Sequence, residues 1–243
     1  MRAPFDVEVG MWETPHPEPG EVLISIKAAG ICASEMYLYL GKHPYADYPQ
    51  IGGHEIAGVV ERLGEGVDSL KVGSLVVVEP FIGCGRCYPC SIGKSNCCIN
   101  IRIIGVHLPG GYAEYLRAPA THIHLVPEGL SFFDASFTEP TAIGVQACRR
   151  GQVTDGDTLL VLGCGPIGLT LIEVGRARGA QVIAADLRQE SIPPCSSTSL
   201  LDNLQLPQLH KKDNYPFDNC FSAPVRTCIP FSMSSQCVHS NGE

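Results

Sequence analysis

A buried strand, a glycine-rich turn, a helix and a second buried strand follow one another between residues 158 and 186, and that succession leaves few folds open. TLLVL (158–162) is an unbroken apolar run, as expected of a strand covered on both faces. PIGLTLIEVGRARG (166–179) carries apolar residues at helical spacing, and QVIAAD (181–186) is a second apolar strand. Two strands joined by a crossover helix make a βαβ unit, which implies a parallel sheet. The connecting turn, VLGCGPIG (161–168), places Gly163, Gly165 and Gly168 in G-x-G-x-x-G spacing. Such glycines allow a tight turn, close approach of a pyrophosphate to the backbone and close packing of helix on strand, while the helix N-terminus supplies positive potential. The spacing alone is common, but here it has its strand and its helix, and Asp186 ends the second strand where a carboxylate can accept ribose hydroxyls. That carboxylate would repel a 2′-phosphate, so NAD is expected over NADP. Cys164, inside the turn, is expected to be a small packing residue.

Upstream the texture is different. EVLISIKAA (21–29) alternates apolar and polar residues after Pro19-Gly20 and reads as a half-buried strand. AGVVERL (57–63), SLVVVEP (74–80), GYAEYLRAP (111–119) and HIHLVP (122–127) read as further strands, most of them bounded by Gly or Pro. AIGVQACRRG, from residue 142, suits a short helix and opens the second pattern. The expected organisation is a β-rich domain over 1–140 and an α/β domain over 141–190. Residues 191–243 hold six of the 19 prolines but one glycine and show no persistent period, so an irregular or disordered tail is expected there.

GCGRCYPCSIGKSNCC (83–98) contains five cysteines. The first residues lack the basic start and apolar run of a secretory signal, and no apolar stretch is long enough to span a bilayer, so a cytoplasmic protein is expected. In a reducing compartment, cysteines clustered at short fixed spacings are metal ligands more often than disulfides. Cys84, Cys87, Cys90 and Cys98 follow C-x2-C-x2-C-x7-C, and Gly83, Gly85 and Gly93 let the backbone aim four thiolates at one point, which suits a structural Zn2+. Cys97 is the alternative to Cys98 by spacing; Cys98 is favoured because it leaves the longer loop. A nucleic-acid-binding zinc module is disfavoured: the chain's formal charge is −8, and only Arg86 and Lys94 are basic in the loop. The acidic balance equally argues against an anionic membrane surface.

GICASEM (30–36) places Cys32 directly after a strand, and GGHEIAGVVERLGEGV (52–67) places His54 and Glu55 in a glycine-bracketed turn. Taken with Glu139-Pro140, the cysteine loop and GCGPIG, these motifs occur in an order that resembles the zinc-dependent medium-chain alcohol dehydrogenase family over residues 1 to about 190. EPTAIGVQACRRGQVT (139–154) looks most like the sorbitol dehydrogenase branch, while CYPCSIGK (87–94) and GVHLPGGYAEY (105–115) look like related sugar-acid, galactonate-type dehydrogenases. The resemblance implies a GroES-like β-barrel catalytic domain followed by an incomplete Rossmann domain, a doubly wound parallel sheet, with a catalytic zinc in the cleft between them. It implies an oxidoreductase that passes hydride from a secondary alcohol of a polyol or sugar acid to NAD.

Carried over by position, Cys32 and His54 match the first two ligands of the catalytic zinc, and Glu55 and Glu139 match carboxylates that either ligate it or partner a bound water, Glu55 ranking ahead of Glu139. Ser34 matches the hydroxyl that takes up the alcohol proton; a helix N-cap before EMYLYL is its other reading. Gly163, Gly165, Pro166, Ile167, Gly168, Asp186 and Arg188 form the implied NAD-binding set. There are departures. Tyr37 stands where many relatives have a relay histidine, and Glu35 replaces a usual aspartate. Ser191 replaces an arginine beside the adenosine ribose, and the match stops near residue 190. A shifted reading frame, an alternative splice or a gene-model error is the expected origin of the remainder. A zinc-holding, catalytically impaired fragment is therefore the alternative expectation, and the homo-oligomer usual in the family is in doubt because its contact region is missing.

Overall fold

The computed structural model describes residues 1–188 and the backbone of the short strand Thr227–Cys228. The expectation for residues 191–243 otherwise lies outside the described residues. The chain divides into two compact units, one comprising residues 1–139 and the other starting at Pro140.

The first unit is built on a five-stranded sheet: β1 (Glu21–Ala29), β2 (Ile56–Leu63), β3 (Leu75–Val78), β6 (Tyr115–Pro119) and β7 (Ile123–Leu125), in the order β6-β1-β2-β3-β7 with every pair antiparallel. A flat sheet of five strands would hold its edges about 19 Å apart. Yet β6 and β7 are joined only by the 3-10 turn Ala120–His122, whose reach is at most about 14 Å. The sheet must therefore curl. It does not close, because β6 pairs only with β1 and β7 only with β3, and the residues between them are committed to the turn. The expected β-barrel is thus corrected to a curled, open sheet among the described residues.

Val22, Ile24, Ile56, Val60, Val76, Val78, Ile104 and Leu116 form the core on one face of this sheet. Helix α3 (Phe132–Ser136) packs against β1, β2 and β3, where Ala57, Val77 and Ala135 are buried together. This cover explains why β1 is buried from Val22 through Ser25 and not on alternate residues, as its sequence predicts. Two short strands, β4 (Phe81–Ile82) and β5 (Arg102–Ile103), pair at the base of the cysteine loop. The loop carries one helical turn, α2 (Tyr88–Ser91).

The expected strand over 111–119 begins only at Tyr115, since the backbone N–H groups of Gly111 and Tyr112 are spent on the carbonyls of Gly53 and Gly52. Helix α1 (Ala33–Tyr39) follows β1. Its N-cap is Cys32, so Ser34 lies inside the helix and the reading of Ser34 as N-cap is corrected.

Helix α4 (Thr138–Arg150) starts earlier than its apolar pattern suggests, with Glu139 and Pro140 in the first turn, where a proline's missing N–H costs no helical bond. In the second unit β8 (Thr158–Leu162) and β9 (Gln181–Ala185) are parallel neighbours joined through helix α5 (Pro166–Ala177), as the βαβ pattern predicts. Thr227–Cys228, here β10, runs parallel to β8 on its other side, a pairing too short to register as a period in sequence. A Cβ on Gly175 would lie 2.6 Å from a Leu159 methyl, so this glycine sets how closely α5 sits on the sheet. Cys148 and Cys164 are buried in the core formed with Leu159, Val161, Ile172 and Val182, the packing role expected of Cys164. No helix among the described residues is long and apolar enough to cross a membrane.

Ile24, fully buried at the centre of β1, is the sharpest check of this core. Truncation by Ile24→Ala should cost about 3 kcal/mol, the usual penalty for a buried aliphatic cavity, read as a lowered urea midpoint with unchanged slope.

Candidate functional site

Strands β1 and β2 pair with Ala29 opposite Ile56, and the ladder is continued by Gly30 N–H donating to the Glu55 carbonyl at 2.8 Å. Beyond this point one chain leads into Cys32 and the other arrives from His54, so adjacent strand ends bring them together. Lys27 is the extra residue of a bulge just before, a device that re-aims a strand end. One ligand atom each from Cys32, His54 and Glu55 lies within 4.8 Å of the others, with His54 and Glu55 buried and Cys32 half-buried. Gly30 makes room for the carboxylate: a Cβ there would fall 2.0 Å from Glu55 Oε2.

Glu35, which the sequence presents only as a departure from aspartate, binds this cluster from behind. Its Oε2 accepts the Cys32 N–H at 2.8 Å, and its Oε1 accepts the Gly53 N–H at 3.4 Å and lies 2.9 Å from His54 Nδ1. The contact to Nδ1 is close enough for an ion pair but too bent for a hydrogen bond, so Nδ1 is buried without one. The signal that could have revealed Glu35 is C-x-x-E, the spacing of a helix capping box.

The three groups tune one another. Burial works against charge on His54, but the adjoining Cys32 sulfur and Glu35 carboxylate prevail and hold its pKa at about 10. Burial raises the Cys32 thiol, yet His54 and, after it, Ser34 draw it net downward. Glu55 is pushed up by burial and only partly relieved by His54. Such a concentration of anionic groups around one imidazole calls for a cation, and a thiolate, an imidazole and a carboxylate are a donor set suited to zinc. Ser34 Oγ is buried beside Cys32, near enough to help lower its thiol, and makes no well-formed hydrogen bond. Glu139 stands outside the three-group cluster. It is near enough to feel the charges of His54 and Glu55, and burial is the main cause of its raised pKa. Tyr37 is 47 % exposed.

In the cysteine loop the sulfurs of Cys84, Cys87, Cys90 and Cys98 lie within 4.8 Å of one another, and Cys97 is not among them. Cys87 and Cys90 are 3.4 Å apart, Cys87 and Cys98 3.7 Å. Tetrahedral sulfur ligation with Zn–S near 2.3 Å puts sulfurs about 3.8 Å apart, so the cage has the right size. Backbone N–H groups of Cys84 and Asn100 donate to Cys98 Sγ at 3.2 and 3.3 Å. N–H donors from Arg86 and Cys87 bring Cys84 down to about 6, while partial burial and the Cys87 sulfur push Cys90 up to about 12. Four sulfurs this close share ionisation unevenly unless a cation balances them all.

In the second unit Gly163 adopts φ 98°, and a Cβ on Gly168 would fall 1.8 Å from the Gly163 carbonyl oxygen, so both positions demand glycine. Gly165 caps α5, and Pro166 opens it with Ile167 half-buried behind. Asp186 leaves β9 beside this turn, its Oδ2 accepting the Cys164 N–H at 2.8 Å and its Oδ1 the Arg188 N–H at 2.9 Å. Those backbone donors lower its pKa, so the carboxylate is held ionised. The Arg188 side chain is exposed.

Residues 18–128 match the alcohol dehydrogenase GroES-like domain. The starvation-sensing protein RspB of Escherichia coli K12 is 42% identical over 200 residues, covering 80% of this chain and 59% of that protein. L-galactonate-5-dehydrogenase of the same strain is 36% identical over 230 residues, covering 95% and 64%. A crystal structure of the RspB alcohol dehydrogenase from Escherichia coli CFT073, complexed with NADH, superposes with a TM-score of 0.73 at 42% identity over 77% of this chain and 56% of that one. This chain thus spans less than two thirds of the length of these relatives. Residues 18–128 thus carry the alcohol dehydrogenase GroES-like domain, and with the strand–glycine turn–helix unit after it the chain is similar to zinc-type alcohol dehydrogenases.

Proposed function

We propose that this protein is a zinc-dependent oxidoreductase that transfers a hydride from a secondary alcohol of a polyol or sugar acid to NAD. The observation that carries this is the convergence of Cys32, His54 and Glu55 within 4.8 Å at the ends of two paired strands. A zinc ion held there would act as a Lewis acid on an alcohol oxygen, and NAD would supply the hydride acceptor. The Cys32 thiolate and Glu55 carboxylate offset the dication's charge, and Glu35 orients the His54 ring from its far side. Ser34, with a buried hydroxyl beside Cys32, takes up the alcohol proton, and Glu139 holds a proton more readily than an exposed carboxylate because it is buried. Cys84, Cys87, Cys90 and Cys98 hold a second, structural zinc. Gly163, Gly165, Pro166, Ile167 and Gly168 form the pyrophosphate cradle, with Asp186 and Arg188 at the ribose. The substrate class rests on kinship with the galactonate dehydrogenase and with a sorbitol dehydrogenase of Bacillus subtilis, 32% identical over 206 residues.

A second reading, that of a zinc-holding fragment with impaired catalysis, rests on the metal clusters alone, both of which lie within residues 1–139. Metal analysis combined with a screen of polyols and sugar acids for NADH formation separates the two. Two zinc ions per chain with turnover supports the enzyme; zinc without turnover supports the fragment. In the active case His54→Ala should remove one zinc and lower kcat at least about a thousandfold, the scale of a lost catalytic metal contribution of several kcal/mol. Cys84→Ser should instead remove the other ion and lower stability.

Metal-free protein should report the same cluster through pH. His54 has a folded pKa of about 10 against an ordinary 6.5. A raised pKa means the folded state binds the proton more tightly, so this stabilisation is complete below about pH 6.5 and disappears as pH rises through about 10. Urea midpoints of chelator-treated protein should fall across that window, and Glu35→Gln should shrink the fall. A flat profile would contradict the arrangement.

A further inference from the structure

The strand ladder ends at Gly30, leaving the segments that carry Cys32 and His54 to be held by other means. Glu35 ties them from the buried side. A second tie is made by Tyr112, 40 % exposed and unused by the chemistry above. Its backbone N–H donates to the Gly52 carbonyl at 3.0 Å, beside Gly110 and Gly111 donating to Ile51 and Gly53, each at 2.8 Å. Its ring lies flush on the next residue, since a Cβ on Gly53 would fall 2.8 Å from Tyr112 Cδ1. Its hydroxyl then crosses to the other segment and donates to the Gly30 carbonyl at 2.9 Å. One side chain therefore spans from the residue before His54 to a residue two positions before Cys32, 82 residues away from itself in the chain.

Resting on the metal site proposed above, we infer that Tyr112 is a positioning residue for that site: its hydroxyl locks the Cys32 segment against the His54 segment and so sets the affinity of the centre. The ring by itself would shield the His54 turn, but within Tyr112 it is the hydroxyl that reaches the Cys32 segment. Loss of one such hydrogen bond weakens a pre-organised site by about three- to tenfold, and loss of supporting contacts around a metal site by 10- to 100-fold as an order of magnitude.

The test uses the full chain carrying zinc in the cysteine loop only, prepared by partial chelation, and titrated with Co2+ while the thiolate-to-cobalt absorption of Cys32 is followed. Tyr112→Phe should bind Co2+ about three- to tenfold more weakly and with an altered thiolate band, while the cysteine-loop zinc stays unchanged as an internal control of folding. p-Aminophenylalanine at position 112, which restores a donor, should recover the affinity. Unchanged affinity and spectrum in Tyr112→Phe would overturn the inference alone. Failure of the unaltered chain to bind Co2+ at all would overturn the metal-site reading beneath it. A measurement on the unaltered chain covers the case in which the variant does not fold. Hydrogen exchange should show the amides of residues 110–112 gaining protection with those of 30–32 and 52–55 when Co2+ is added; protection confined to the latter two segments overturns the inference.

Discussion

The pairing of Ala29 with Ile56 decides where the chemistry of this protein can be. The three clustered donors lie within three residues of that pair, on backbone that leaves the sheet at the same edge. A slip of one residue would turn the side chains of a strand to the opposite face, taking Ile24 and Ile56 out of the core. The apolar packing that stabilises the sheet is thus what enforces the site, and the binding cluster needs no separate scaffold. The bulge at Lys27 shifts the pairing between Ile26 and Ala28 and so re-aims the last residues of β1, as a second irregularity does between Leu23 and Ile24 further in.

Two anionic clusters in an already acidic chain would be destabilising if left uncompensated. Around His54 the chain places Cys32, Glu35 and Glu55 close by, with Glu139 within electrostatic reach. One imidazole cannot balance them all, as the upward shifts of Glu55 and Glu139 indicate. In the cysteine loop the same tension falls on sulfur: Cys84 is lowered and Cys90 raised within one small cage. Both places would relax with a divalent cation, the closed tetrathiolate because every donor is sulfur, the other because it has fewer protein donors and leaves room for an exogenous oxygen. In the second unit the balance is struck by backbone dipoles, with Asp186 accepting the Cys164 and Arg188 N–H groups and thereby bracing the glycine turn.

Much of this was legible without coordinates. The C-x2-C-x2-C-x7-C spacing selects four sulfurs, and Cys98 over Cys97 follows from loop length; both are found in the structure. The βαβ unit follows from two apolar runs and a helical period, and its strands lie where those runs are. Glu55 ranks ahead of Glu139 in the sequence reading, and it is Glu55 that joins the cluster. Harder to read were Glu35 and Tyr112. Each acts through backbone atoms of residues distant in sequence, Gly53 and Gly30 among them, and hydrogen bonds to a carbonyl or an amide leave no mark on the identity of the partner.

The amino-acid order by itself determined which groups are available and at what short-range spacing: the thiols, the glycine turn, the alternation that makes strands, and the acidic surface charge. It could do so because local propensity and ligand spacing are properties of contiguous residues. Tertiary structure alone decided that the sheet curls without closing, that β1 is covered on both faces by core and by α3, and that Cys32 meets His54 across a strand ladder. Those outcomes depend on long-range packing, where a residue's role is set by whatever the fold brings against it.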